Sequence, residues 1–229
     1  MSTIAILPVK SFGAAKQRLA PTLGAGARQA LARAMFSDVL AALRRVPGLD
    51  AVVVITADQV AESAAMGGGV KVLRDTEQAG QSPAAKIGVH YAEACDYERV
   101  LLVPGDTPLV DPAEVSALLR RADEDGLAAL IVPDRHGTGT NALLLRPPDA
   151  IEPSFGPGSL ERHLEAARAS GGAFAVVEAA TLMLDVDTGE DLAELARVLE
   201  TRRGHAPSTR GALSQLDRSR SWRHSAVPA

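Results

Sequence analysis

The sequence predicts an α/β fold: a single Rossmann-like domain built on a mainly parallel sheet with helices on both faces. Three observations carry that prediction. Short runs of aliphatic residues recur along the chain, AVVVIT (51–56) and VLLV (100–103) among them, with no charge inside them. Continuous apolar runs of that length suit strands buried on both faces. Between them lie segments whose apolar residues return at helical spacing, and such alternation of strand and helix implies a layered sheet. The polar residues able to do chemistry cluster just after the apolar runs, where open α/β sheets bind ligands outside the carboxyl ends of their strands.

The elements follow in order. IAILPV (4–9) is the first strand. From Ala27 to Leu43 the residues Leu31, Ala34, Met35, Val39, Ala42 and Leu43 fall near one face, which predicts a helix. AVVVIT is a strand and VKVL (70–73) a weaker one. PAAKIGVHYAEAC (83–95) reads as a helix with Ser82 as its cap and Pro83 at its first position. After the VLLV strand, Asp111 can cap a helix, Pro112 occupies its first turn and Glu114 has capping-box spacing. Val115, Leu118, Leu119 and Ala122 continue that helix on one face. ALIVP (129–133) and NALLLRP (141–147) are strands joined by a Gly/Thr-rich link, a pair able to add an antiparallel portion. SLERHLEAARAS (159–170) is helical, AFAVVEA (173–179) a strand and LMLDVD (182–187) a shorter one. Thr188 caps a last helix through Leu192, Leu195, Ala196 and Leu199.

These elements place the domain at residues 1–200. Of the chain's 24 basic and 28 acidic side chains, six arginines and one aspartate fall in 201–229, a segment rich in Ser, Gly and Pro. It reads as a mobile basic tail. With 229 residues, 46% hydrophobic and 23% charged, the chain can bury a core without disulfides. Its one cysteine, Cys95, excludes an intrachain disulfide and fits a reducing, cytoplasmic compartment. The start, MSTIAILPVK, lacks the features of a signal peptide, and no apolar run reaches membrane-spanning length. A net charge of −4 argues against a general nucleic-acid binder.

Four motifs can carry chemistry. PVKSFGAAKQRLAP (8–21) follows the first strand and holds Lys10, Lys16 and Arg18 among small residues. Small residues let backbone amides approach an anion, and the cations neutralise phosphate; a solvated basic loop is the plainer reading. It is neither a Walker A loop nor G-x-G-x-x-G. In VPGDTPL (103–109), Asp106 stands just past a buried strand, where a carboxylate either closes an Asx turn or holds a hard cation such as Mg²⁺. In LDVDT (184–188), Asp185 and Asp187 are two apart and share a face of an extended segment. Adjacent carboxylates repel unless a cation lies between them, so Asp106, Asp185 and Asp187 together can surround one or two Mg²⁺ ions. Finally DRHGTGTN (134–141) and FGPGS (155–159) offer hydroxyls and amides suited to an anion, with Ser159 opening a helix.

In this order the motifs resemble the 2-phospholactate or phosphoenolpyruvate guanylyltransferase family of deazaflavin (coenzyme F-420) biosynthesis, over roughly residues 3–199. More broadly they resemble single-domain nucleotidyltransferases of glycosyltransferase-A-like fold. The resemblance implies that Asp106, Asp185 and Asp187 bind metal, with Asp106 and Lys16 at the catalytic centre. It implies that Thr140, Gly156 and Ser159 contact a small phosphorylated three-carbon acid, and that Lys10, Lys16 and Arg18 face the triphosphate of GTP. Gln81 and Ser82 stand where many relatives carry a Leu-Asn pair, and so are candidates for the nucleotide. The implied reaction joins GMP from GTP to phosphoenolpyruvate or 2-phospholactate with Mg²⁺, releases pyrophosphate and hands its product to the next enzyme of the deazaflavin pathway. A nucleotidyltransferase for a sugar phosphate or molybdopterin, or a nucleotide-binding regulatory module, remains the alternative.

Overall fold

The computed structural model describes residues 1–218. Its strands are β1 (Thr3–Val9), β2 (Ala51–Thr56), β3 (Lys71–Arg74), β4 (Arg99–Leu102), β5 (Ala129–Pro133), β6 (Thr140–Leu145) and β7 (Phe174–Val176). Its helices are α1 (Ala25–Leu43), α2 (Gln59–Gly67), α3 (Gln81–Ala94), α4 (Pro112–Glu124), α5 (Ser159–Ser170), α6 (Gly189–Thr201) and α7 (Pro207–Arg218). The strands form one sheet in the order β3-β2-β1-β4-β6-β5-β7. Within it β6 pairs antiparallel with β4 and β5, and every other pairing is parallel.

That order places a switch point at the centre of the sheet. From β1 the chain builds outward through β2 and β3, then returns to add β4 on the other side of β1. The loops leaving β1 and β4 therefore diverge and open a crevice at their carboxyl ends. The aligned register, with Ile6 opposite Leu102, brings Lys10 and Asp106 to the same rim.

Residues of alternate parity on the strands feed two cores. Ala5, Leu7, Val54 and Leu101 pack under α1, α2 and α4, through Phe36, Ala61 and Val115. Ile4, Ile6, Val53 and Leu102 pack under α3 and α5, through Ala85, Val89 and Ala167. Gly88 on α3 lies so close to Ile6 that a Cβ there would collide with it. A third cluster joins the far face of α1, through Leu31 and Met35, to Leu184, Val186, α6 and α7. Among the described residues no helix is long and apolar enough to cross a membrane.

The structure corrects five local expectations. LMLDVD (182–187) is not a strand: its backbone groups pair singly, Met183 accepting from the Arg135 N–H at 2.8 Å and Val186 donating to the Asp106 carbonyl at 3.2 Å. AFAVVEA shortens to Phe174–Val176. The third helix begins at Gln81 with Gly80 as its cap, so Ser82 lies inside it. Asp111 does cap α4, but Glu114 makes no capping box and instead accepts from the N–H and hydroxyl of Thr181. The segment expected to be a tail from residue 201 forms helix α7, whose Thr209, Leu213 and Leu216 are buried. The buried Asp38 carboxylate of α1 supplies the cap that α7 lacks, accepting from the Ser208 N–H at 3.0 Å and the Thr209 N–H at 2.7 Å. The remainder of that basic segment, residues 219–229, lies outside the described residues.

Removing this carboxylate takes away the acceptor of the Ser208 and Thr209 N–H groups. Asp38→Ala is therefore expected to lower the unfolding free energy by about 1–2 kcal/mol, read as a reduced urea midpoint. An unchanged midpoint would show that α7 does not depend on this contact.

Candidate active site

A cleft of about 800 Å³ opens at the switch point between β1 and β4. It is lined by every residue singled out from the sequence except Ser82: Lys10, Lys16, Arg18, Gln81, Asp106, Thr140, Gly156, Ser159, Asp185 and Asp187. These residues are drawn from segments up to 177 positions apart, between Lys10 and Asp187.

One end of the cleft is charged. The Lys16 ammonium, its side chain 7% exposed, is ion-paired to Asp106 and lies 2.9 Å from Asp187. Burial alone would lower its pKa, but the two carboxylates outweigh burial and hold it above the ordinary lysine range. Lys16 reaches this position from a left-handed backbone, φ 55°, a conformation that costs a non-glycine residue roughly 1 kcal/mol. The second oxygen of Asp106 is buried and has no hydrogen-bond partner. Asp185 accepts from the Asn141 amide at 3.1 Å. Burial first, and then the neighbouring Asp106 charge, push its carboxyl up to about 6. Leu184 and Val186 face the third core while Asp185 and Asp187 line the cleft. The period-two alternation of LDVDT thus holds on extended chain that belongs to no sheet.

Two further acids position these groups. Asp58 caps α2 through one oxygen, and with the other accepts from the Phe12 N–H at 2.9 Å and the Ser11 hydroxyl at 3.4 Å. The loop carrying Lys10 and Lys16 is thereby fastened to β2's exit. Asp191 accepts from the N–H groups of Asp187 and Thr188 at 3.1 and 2.8 Å, and is itself held by Arg135 at 2.7 Å. Arg18 is 70% exposed and 3.9 Å from Asp187, so it borders the charged end without being locked into it.

The other end is built from hydroxyls and glycine. Asp134 organises the hairpin before β6 by accepting from the His136 and Thr138 N–H groups at 3.1 and 2.9 Å. Gly139 has no room for a side chain, since a Cβ would meet that carboxylate at 2.7 Å. Next, the Thr140 N–H donates to the Ser159 hydroxyl at 2.8 Å, and the Thr140 hydroxyl lies 2.9 Å from His163 Nδ1. Gly156 bends its loop with φ +106°. Arg162 clamps that loop, donating to the Ser154 hydroxyl and carbonyl, both at 2.8 Å, and to the Pro157 carbonyl at 2.5 Å. Ser82 clamps it from α3, its hydroxyl accepting from the Phe155 N–H at 2.8 Å. Ser82 thus braces the loop, while Gln81 beside it lines the cleft.

Among the described residues, no group of three His, Cys, Asp or Glu side chains forms a ready metal cage. Lys16 stands between Asp106 and Asp187 instead. The donor set nonetheless suits a hard cation: all oxygen, an orphaned buried Asp106 oxygen, and an Asp185 carboxyl disfavoured as an anion by burial and then by the Asp106 charge.

Comparison with known proteins follows this geometry. Residues 3–210 match the family described as "Guanylyl transferase CofC like". The chain is 50% identical over 219 residues to a phosphoenolpyruvate guanylyltransferase of Conexibacter woesei, covering 96% of this chain and 98% of that protein. It is 38% identical to a 2-phospho-L-lactate guanylyltransferase of Methanothermobacter thermautotrophicus, covering 85% and 84%. It is 37% identical to a 3-phospho-D-glycerate guanylyltransferase of Phenylobacterium zucineum, covering 84% and 89%. A solved structure from Desulfovibrio desulfuricans G20, described as a nucleotide-diphospho-sugar transferase, superposes with a TM-score of 0.77 at 22% identity, covering 95% of this chain and 96% of that one.

Burial, and secondarily the Arg162 charge, lower His163 to about 4. The native ring thus stays neutral while the unfolded one protonates from 6.5 downward, so the unfolded state binds more protons in that window. Stability is expected to be complete above pH 6.5 and to fall toward pH 4, by at most about 3 kcal/mol from this group. Urea midpoints at pH 7.5 and 4.8 should differ less in His163→Gln than in the unmodified protein. An equal difference in both would refute a buried neutral imidazole.

Proposed function

The chain belongs to the CofC-like guanylyl transferase family, and on that premise we propose that it transfers GMP from GTP to phosphoenolpyruvate. The observation that carries this reading is a single cleft with two unlike ends, a Lys16–Asp106–Asp187 cluster and a hydroxyl pair, Thr140 and Ser159. Its volume of about 800 Å³ is of the size that holds a nucleotide with a small partner. Phosphoenolpyruvate is favoured over other three-carbon acids by the Conexibacter relative.

In the proposed reaction an oxygen of the acceptor's phosphate attacks the α-phosphorus of GTP. The bond from that phosphorus to the bridging oxygen of the β-phosphate breaks, and pyrophosphate leaves with the electron pair. The product is enolpyruvoyl-2-diphospho-5′-guanosine. A phosphate monoester has a second pKa of about 6, so near neutrality it is already a dianion and needs no base to become nucleophilic. The protein's task is to bring two polyanions together and hold them in line.

Lys16 neutralises charge at the α-phosphate, and Lys10 and Arg18 serve the β- and γ-phosphates at the cleft's rim. Gln81, at the start of α3, serves the base. Thr140, Gly156 and Ser159 seat the acid. Asp106, Asp185 and Asp187 would hold Mg²⁺, which when bound neutralises the α-phosphate and the leaving pyrophosphate. The setting is the cytoplasm, where GTP is made and a lone Cys95 stays reduced.

Two outcomes test this reading. Asp106→Asn should reduce pyrophosphate release from GTP and phosphoenolpyruvate by about 100-fold or more, the scale of losing one preorganised electrostatic group. Its urea midpoint should stay close to that of the unmodified protein, and full activity would remove Asp106 from the reaction. In a second assay, GTP and Mg²⁺ are supplied with phosphoenolpyruvate, 2-phospho-L-lactate or 3-phospho-D-glycerate in turn. Phosphoenolpyruvate is expected to give the highest kcat/KM, whereas a preference for either other acid would reassign the acceptor.

A further inference from the structure

His163 lies one shell behind the acceptor end, where no contact with either substrate is expected. It is fully buried, with the Phe155 ring edge-on at 5.3 Å between centroids. Its Nε2 faces the Ser154 N–H at 2.9 Å, and its Nδ1 faces the Thr140 hydroxyl at 2.9 Å. A backbone N–H only donates, so Nε2 accepts and carries no hydrogen. A neutral imidazole then has its hydrogen on Nδ1, and that hydrogen goes to the Thr140 oxygen. The Thr140 hydroxyl is thereby committed as acceptor on the histidine side, and its own hydrogen is left for the cleft. Ser159 is in the same position: its oxygen takes the Thr140 N–H at 2.8 Å, which leaves its hydroxyl hydrogen to give. Both residues are buried, yet both line the cleft.

We propose that His163 is a positioning residue that fixes Thr140 as a hydrogen-bond donor toward the acceptor, so that this end of the cleft selects an anionic oxygen. The direction of the His163–Thr140 bond follows from one backbone N–H, that of Ser154, which Arg162 holds through the neighbouring hydroxyl and carbonyl. Two hydroxyl hydrogens facing one ligand match an oxygen with only lone pairs, a carboxylate or a phosphate. The inference rests on the assignment of Thr140 to the acceptor acid.

The test measures pyrophosphate release with phosphoenolpyruvate and GTP varied separately. Thr140→Val removes the donor and should raise KM for the acid about tenfold, the effect of one hydrogen bond to a charged group, with KM for GTP within about twofold. No change in the acid's KM would show that Thr140 is not at the acceptor, and would overturn the site assignment along with the proposal. In His163→Gln the amide can still accept from Ser154, but its NH2 is no longer fixed by a ring toward Thr140, so it should raise the acid's KM in the same selective way. His163→Asn keeps a donor near Nδ1 and should stay within about twofold of the unmodified protein. The double variant Thr140→Val/His163→Gln should match Thr140→Val alone, because both changes remove one interaction. With Thr140→Val selective as expected, multiplicative losses in the double variant, or a His163→Gln effect equal on both substrates, would make His163 merely structural. Should His163→Gln fail to fold, His163→Asn decides: a tenfold rise in the acid's KM there overturns the proposal.

Discussion

The charged end of the cleft depends on one buried ammonium. Lys16 meets Asp106 from the loop after β4 and Asp187 from the approach to α6, and without a cation those carboxylates would repel at close range. The same two segments are joined by backbone, the Val186 N–H donating to the Asp106 carbonyl at 3.2 Å. A left-handed residue at Lys16 is held in place by these contacts and by Asp58, which ties the preceding turn to α2. Positive charge is thus provided where a nucleotide phosphate would arrive, and the carboxylates are held together before any ligand binds.

The hydroxyl end follows a different logic. Its residues are neutral where they line the cleft, and its order comes from hydrogen bonds with fixed direction. Strand β6 connects the two ends: Thr140 joins the hydroxyl network while its neighbour Asn141 donates to Met183 and Asp185 at 2.9 and 3.1 Å. Because β6 runs antiparallel between β4 and β5, it delivers its first residues, not its last, to the cleft rim beside Asp106. Arg162 and Ser82 then hold the Gly156 loop against this strand from α5 and α3.

Much of this was legible in the sequence because it is local. Asp106 follows a run of four apolar residues, and its place at the mouth of a parallel strand comes from that adjacency. Asp185 and Asp187 alternate with Leu184 and Val186, and alternation shows which side faces the cleft even where no sheet forms. What local pattern could not reveal has partners far along the chain. Ser82 looked like a cap because Pro83 follows it, but Phe155 claims its hydroxyl, 73 residues away. Glu114 had capping-box spacing, yet Thr181 takes its carboxylate. Helix α7 was obscured by its Ser, Gly and Arg content, and its cap is Asp38, 170 residues earlier. His163 carries no ligand spacing at all; its role appears only when Ser154 and Thr140 are seen on opposite sides of its ring.

The central claim is that the Lys16–Asp106–Asp187 cluster receives the reacting phosphate of GTP. A crystal structure with a non-hydrolysable GTP analogue and Mn²⁺, with the metal located by its anomalous signal, tests it most directly. The account predicts metal density on Asp106 and Asp187, with Lys16 turned from the carboxylates to the α-phosphate. Nucleotide bound elsewhere, with Lys16 still bridging the two aspartates, would contradict it.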